Sequence, residues 1–202
     1  MALDTSKVLV GLADQQVTGA ILTGDVITSI PADFAAAQTA ISAFDDSGYV
    51  STDGLSISTE NGTKSIQEWN LAKVRTMLED WTGTVSFTLI QADYDGWCQL
   101  LGADHVTKID ATSGHGEYLH IKIGAHLPAP KAWAMKMKDG DNKFIVIIPN
   151  GQVKNGIDLK FQASEAIALP IEIDCLDDGT GEGIHIYADD GQETGETGTT
   201  GV

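Results

Sequence analysis

Hydrophobic and polar residues alternate with period two through much of the chain, as in strands with one dry and one wet face. Residues 84–91 put Val85, Phe87 and Leu89 on one side and Ser86 and Thr88 on the other. The same reading predicts strands at 118–125 (Leu119, Ile121, Ile123), 131–138 (Trp133, Met135, Met137) and 157–162 (Ile157, Leu159, Phe161). Two more are predicted at 171–175 (Ile171, Ile173, Cys175) and 183–187 (Ile184, Ile186 on one face, His185 and Tyr187 on the other). Sheets of this kind are typically antiparallel. The run 143–148, KFIVII, does not alternate and is expected to be buried on both faces or to lie at an interface. Asp139-Gly140-Asp141-Asn142, just before it, has the composition of a hairpin turn.

Helical spacing is scarce. Residues 93–101 carry it best: Asp93 can cap the start, Asp95 suits the first turn, and Tyr94, Trp97, Cys98 and Leu101 form one stripe that Gly102 ends. Residues 32–44 carry a poorer version, Ala-rich with Phe34, Ile41 and Phe44 spaced for one face. The expected fold is mainly β: an antiparallel β-sandwich or twisted sheets with one packed α-helix and extended N- and C-terminal arms. The expected organisation is an N-terminal arm with a short helix (1–45), a sandwich domain (46–188) and a flexible acidic tail (189–202). The first thirty residues read as an arm or short strands, and 46–70 as a long polar excursion between strands. Asn61-Gly62-Thr63 reads as a turn.

Charge narrows the function. Over 202 residues, 29 acids face 12 bases, a net charge of −17. The imbalance sits at the ends: −7 over residues 1–63, −2 over 64–173 and −8 over 174–202. Such a surface repels phosphate, so a grip on nucleic acid or on an anionic membrane is not expected. No apolar run reaches the ~20 residues of a membrane span. The N-terminal stretch lacks the basic region and long apolar core of a signal peptide, so export by that route is not expected. The tail, Gly-, Thr- and Glu-rich, cannot bury enough apolar surface to offset the entropy of ordering. Cys98 and Cys175 are too few for a disulfide framework and read as two buried thiols.

Catalytic patterns are missing. The five histidines include no helical His-x-x-x-His pair with a Glu, and no Cys-x-x-Cys occurs. There is no Gly-x-Ser-x-Gly elbow, no P-loop, and no Gly-x-Gly-x-x-Gly opening a helix. Asp139–Asn142 and the run 177–183 have the acids and glycines of a calcium loop but not its spacing, and read as turns. No cofactor or metal is called for, and an enzyme is the least supported class.

One ordered set of segments resembles a known family. It comprises Gly48-Tyr49-Val50-Ser51-Thr52-Asp53-Gly54-Leu55, Ile66-Gln67-Glu68-Trp69, Val85-Ser86-Phe87-Thr88-Leu89-Ile90-Gln91, and a short helix ending Leu100-Leu101-Gly102. A looser echo follows in Ile148-Pro149-Asn150-Gly151-Gln152-Val153, and the acid-and-glycine tail fits as well. This pattern, over about residues 44–102, resembles the major tail protein of long-tailed bacteriophages, the tail tube subunit, in its actinobacteriophage-like form. The sequence departs from it at Asn70, where Gly is expected after the Trp, and in the insertion-like 104–117. Asn tolerates left-handed backbone, so the turn can survive.

The resemblance implies a structural virion protein that forms rings, usually of six copies, stacked into a hollow tube. The subunits' strands would make an inner barrel through which DNA passes without specific binding. It implies assembly in the host cytoplasm around a tape-measure protein, with tail terminator and distal tail proteins as further partners. Candidate contacts between copies are Tyr49, Asp53, Ile66 and Trp69; Trp69 equally suits roofing its own core. Candidate lumen acids are Asp158, Glu172 and Asp174, which equally suit an outer surface. Two other readings stay open: a related tail assembly ring such as a terminator, and a non-assembling binding module displaying Trp81, Trp97 or Trp133. Trp97 and Trp133 fall on apolar stripes, which weakens the last.

Overall fold

The computed structural model describes residues 8–14, 19–154 and 156–192; all but a few residues of the acidic tail call, 189–202, lie outside them. The strands are β1 (Leu12–Ala13), β2 (Ile21–Gly24), β3 (Asp45–Asp46), β4 (Val50–Gln67), β5 (Lys73–Leu89), β6 (Val106–Ile109), β7 (Tyr118–Ile121), β8 (Lys131–Asp139), β9 (Asn142–Val153), β10 (Leu169–Cys175) and β11 (His185–Asp189). Two helices, α1 (Phe34–Ala40) and α2 (Tyr94–Leu101), complete the list with two short 3-10 turns. One sheet runs β3-β2-β8-β9-β10-β5-β4, with β1 added to β8 and β11 added to β9; β6 and β7 form a small second sheet. Every pairing is antiparallel. The mainly-β expectation holds.

The KFIVII run is the centre of the sheet and is buried on both faces. Val146 and Ile148 join the main cluster with Val85, Phe87, Leu89, Trp133, Ile171 and Ile173. Ile145 and Ile147 point the other way, to Leu22, Ala37, Ile41 and Ala134. Alternation vanishes here because neither face meets water. The turn before it is a two-residue hairpin with Asp139 opposite Asn142 and Gly140 at φ 60. Positive φ at the first central position alone is what a type II′ turn requires of glycine.

Each face of β8 and β9 carries a helix. α2 packs its Trp97, Cys98 and Leu101 stripe on the main cluster. Its start is capped by Asp93, whose Oδ1 accepts from the Gly96 N–H at 2.9 Å, and Gly102 ends it at φ 87. α1 serves the second cluster through Phe34 and Ala37, with Ile41 and Phe44 following. It is capped by Asp33. A second packed helix is thus real where one was expected, and β2 lies within the sheet against β8. Cys98 and Cys175 are both buried free thiols, and burial pushes the Cys175 thiol up to about 12.

Three strand expectations need correction. Residues 157–162 form no strand: Ile157 and Leu159 touch the core from a loop and Phe161 is 70% exposed. In β11 the alternation is right but the faces are reversed. Tyr187 packs inward, its hydroxyl donating to the Pro31 carbonyl at 2.8 Å, while Ile186 is 60% exposed. The predicted strand 118–125 stops at Ile121, leaving Ile123 exposed.

Gly151 sits where β8, β9 and β10 converge. A Cβ there would lie 2.7 Å from Ile173 Cγ2 and 2.8 Å from Trp133 Cδ1, both in fully buried side chains. Gly151→Ala is therefore expected to destabilise the fold by about 1–3 kcal/mol, the usual cost of overpacking, measured by denaturant unfolding.

Candidate functional site

The segment 46–70 is no polar excursion. Residues Leu55, Ile57 and Thr59 alternate with Ser56 and Ser58, and β4 pairs with β5 along nearly its whole length, from Val50↔Leu89 to Gln67↔Lys73. Val85, Phe87 and Leu89 anchor the base in the core. Beyond Gly83 almost every residue of both strands is exposed, so the outer part of the hairpin is an arm. From Leu55 at the base to Gln67, at about 3.3 Å per residue, the whole hairpin reaches about 40 Å. Asn61-Gly62-Thr63, expected as a turn, lies within β4 at a register shift.

Residues opposite one another share a face. On one face Ile57, Asn61 and Thr63 oppose Val85, Trp81 and Leu78, extending the core face outward past the body. Trp81 lies over two glycines: a Cβ at Gly83 or Gly183 would come within 2.4 or 2.8 Å of its ring. This contact ties the hairpin to the 176–184 loop. The other face is polar, with Ser56, Ser58 and Glu60 opposite Ser86, Thr84 and Thr82.

At the tip, the Leu71 N–H donates to the Glu68 carbonyl and the Glu68 N–H to the Ala72 carbonyl, both at 2.9 Å. The left-handed residue is Leu71, at φ 65, and not Asn70 as the sequence led one to expect. A branched side chain in this conformation costs on the order of 1 kcal/mol or more. Leu71 is 76% exposed and Trp69 fully exposed, so Trp69 does not roof its own core.

The four contact candidates therefore fall into two groups. Ile66 and Trp69 are at the tip; Tyr49 and Asp53 are at the base, all four exposed. At the base the Tyr49 N–H donates to Gln91 Oε1 at 3.3 Å, and Asp53 accepts from the Ser51 hydroxyl at 3.2 Å. Two of the three acids converge. Glu172 and Asp174, on the wet face of β10, flank Lys154, whose Nζ is 2.8 Å from Glu172 Oε1 and 2.9 Å from Asp174 Oδ1. Hydrogen bonds to Glu172 and Asp174 push the Lys154 ammonium above its ordinary range, so this link persists until the pH rises through that raised value. Glu172 also shares a shallow polar hollow with Asp53, Ser56 and Ser86. Asp158 stands apart in a loop, 3.8 Å from Lys160. Sequence reasoning missed Lys154 and Leu71; only the Leu55–Thr59 alternation could have betrayed the hairpin.

The insertion-like 104–117 contributes β6, one strand of the β6–β7 pair. Trp97 and Trp133 are buried. Among the described residues no group of three or more His, Cys, Asp or Glu is arranged to hold a metal, and no helix is long and apolar enough to cross a membrane.

The 177–183 run is a turn closed by its own acids. Asp177 Oδ1 accepts from the N–H groups of Gly179 and Gly181, at 2.8 and 2.9 Å. Asp178 Oδ1 accepts from the Thr180 hydroxyl at 2.6 Å and its N–H at 2.7 Å, while Oδ2 is 2.8 Å from His185 Nε2. These bonds, the Thr180 hydroxyl first, hold the Asp178 carboxyl down at about 2 against an ordinary 3.8. A depressed acid stabilises above its unfolded value and loses that contribution as pH falls through its folded one. The loop is thus expected to stay closed at pH 5 and open between about pH 4 and pH 2. NMR titration of Asp178 should give a midpoint near 2, moving up toward 3.8 in Thr180→Val; an unchanged midpoint would contradict the assignment.

Among known proteins, the family model described as phage tail tube protein matches residues 1–196 of the chain. No curated protein matches it.

Proposed function

The chain belongs to the phage tail tube protein family, so its role is structural, in the virion tail, and we propose that its copies close into rings of six. The rings stack into a hollow tube, and DNA passes through the channel without being held. The β4–β5 hairpin is the observation that carries this reading. It projects an apolar face and an exposed aromatic tip that the protomer itself does not cover. A lone protomer gains nothing from keeping such surface in water, whereas a neighbouring copy buries it.

The edges support the same reading. Among the described residues β4 pairs only with β5, which leaves its 18-residue outer edge open. An open edge is a template for another strand, and pairing from copy to copy around a ring removes every edge. The Ser- and Thr-rich face of β4 and β5, with Glu172 and Asp174 beside it, then lines the channel. Hydroxyls and carboxylates give phosphates no cation to bind. Lys154 offsets part of that acidity, so the wall repels DNA less strongly than bare acids would. Asp158 is the outlying member of this set.

The ordered segments across 44–102 favour the long-tailed, actinobacteriophage-like type. Assembly in the reducing host cytoplasm suits two buried thiols. A tape-measure protein as template, and terminator and distal tail proteins at the two ends, complete the partners.

Electron microscopy of the purified chain at high concentration tests the reading. Hollow tubes are expected; isolated rings would favour a terminator, and monomers would contradict assembly. Trp69→Ala and Asp53→Ala alter exposed side chains, so both variants should melt within about 2 °C of wild type, as surface changes do, yet form no tubes. Intact tubes from both would remove these residues from the interface. Separately, Glu172→Lys combined with Asp158→Lys should leave tubes intact and slow genome ejection in an infection assay. Unchanged ejection would place these acids outside the channel.

A further inference from the structure

Among the described residues the exposed tip has no partner, and a groove at the other end of the hairpin has an apolar lining that suits it. The groove, of about 320 Å³, lies between β1, β8 and the base of β4. Ile21, Val50, Leu55, Met135, Met137 and the Lys136 backbone stretch line it. Methionine sulfur makes favourable contacts with aromatic rings and adapts to their outline. Resting on the assembly proposed above, we infer that Trp69 at the tip of one copy docks in the Met135/Met137 groove of a second copy.

Three features point to a second copy as the occupant. The ladder holds the tip about 40 Å from the base, at about 3.3 Å per residue, so a chain cannot fill its own groove. Trp69 is fully exposed and is flanked by Leu71 in a strained left-handed conformation, so the turn presents apolar side chains at a conformational cost. Finally, tip and groove are different patches of one surface. A head-to-tail contact of that kind propagates from copy to copy instead of stopping at a dimer.

A second cavity, of about 260 Å³ beneath the Pro128 loop, fits the tip less well. It is lined by Gln99 and Trp133, whose Oε1 and Nε1 are buried without hydrogen-bond partners. An indole carries one N–H donor and no acceptor, so it would leave the Trp133 N–H unsatisfied at a cost.

Cysteine trapping on assembled full-length chain decides between the two. Asn70→Cys puts a thiol beside Trp69 without removing it, and Thr52→Cys puts one in the groove lining. Cys175 is buried, and Cys98, which lines the second cavity, is replaced by Ala in every variant so that only the introduced thiols can couple. Oxidation of tubes of the double variant should give a ladder of disulfide-linked multimers on a non-reducing gel. Asn70→Cys paired with Asp104→Cys, in the lining of the second cavity, should give none. A ladder from the Asp104 pair, or from neither pair in well-formed tubes, would overturn the docking while leaving assembly itself intact. Absence of tubes from the wild-type chain would remove both. As a second measure, Ala13→Phe narrows the groove from an exposed position. It should raise the concentration needed for tube formation by about tenfold or more, the equilibrium factor set by each 1.4 kcal/mol lost; no shift would count against the groove.

Discussion

Strand β9 is the constraint from which the rest of the architecture follows. It is buried on both faces and hydrogen-bonded along both edges. β8 takes one edge. The other is divided: β11 pairs with Lys143–Ile147 and β10 with Gly151–Val153. Pro149 sits between the two stretches. It has no N–H to donate, so a continuous ladder would break there in any case, and its carbonyl instead accepts from the Ile27 N–H at 3.0 Å. The pairing with β8 shifts register at the same level, between Lys131 and Trp133. A proline in a central strand thus divides the sheet into two branches, one covered by α1 and the other by α2.

The α2 branch leads through β10 and β5 to the hairpin, where two demands pull apart. Near the base, packing sets the sequence: Val85, Phe87 and Leu89 are core residues. Farther out no core remains, yet Trp81, Leu78 and Val74 keep the chain apolar on that side. The tip departs furthest from what a lone chain would favour, with a leucine where glycine would be relaxed. Folding alone does not account for that choice, whereas the docking proposed above would.

Much of the fold was legible in the sequence wherever one face met water and the other met the core. The inner end of β5, β10 and α2 follow from their periods; β8, covered on both faces, was legible because large Trp133, Met135 and Met137 alternate with alanine and lysine, and the absence of a period identified β9. The hairpin was hidden for a physical reason. Beyond Gly83 neither face is buried within the protomer, so polar residues such as Asn61 and Thr63 stand opposite Trp81 and Leu78 on the apolar side and the alternation weakens. β11 was read with its faces reversed because isoleucine is taken to point inward. At this edge strand Tyr187 fills the interior and satisfies its hydroxyl on Pro31, leaving Ile186 outside. Residues 157–162 alternate but have no neighbouring strand to pair with, and alternation without a partner makes no ladder. The ion pairs of Lys154 could not be anticipated, because they need β9 and β10 to be adjacent, which only the topology supplies.

The register shifts in the arm have a mechanical meaning. The ladder slips at three places, between Val50 and Leu55 at the root, between Gly62 and Thr63, and between Ile66 and Gln67, while the stretch from Leu55 to Gly62 is regular. Bulges concentrate twist and bending where pairing is interrupted. A sideways load on the end of the arm is therefore taken up at these points, and the regular ladder between them is spared. A filament joined through such arms has compliant couplings between stiff blocks: it can curve and recover without any block unfolding.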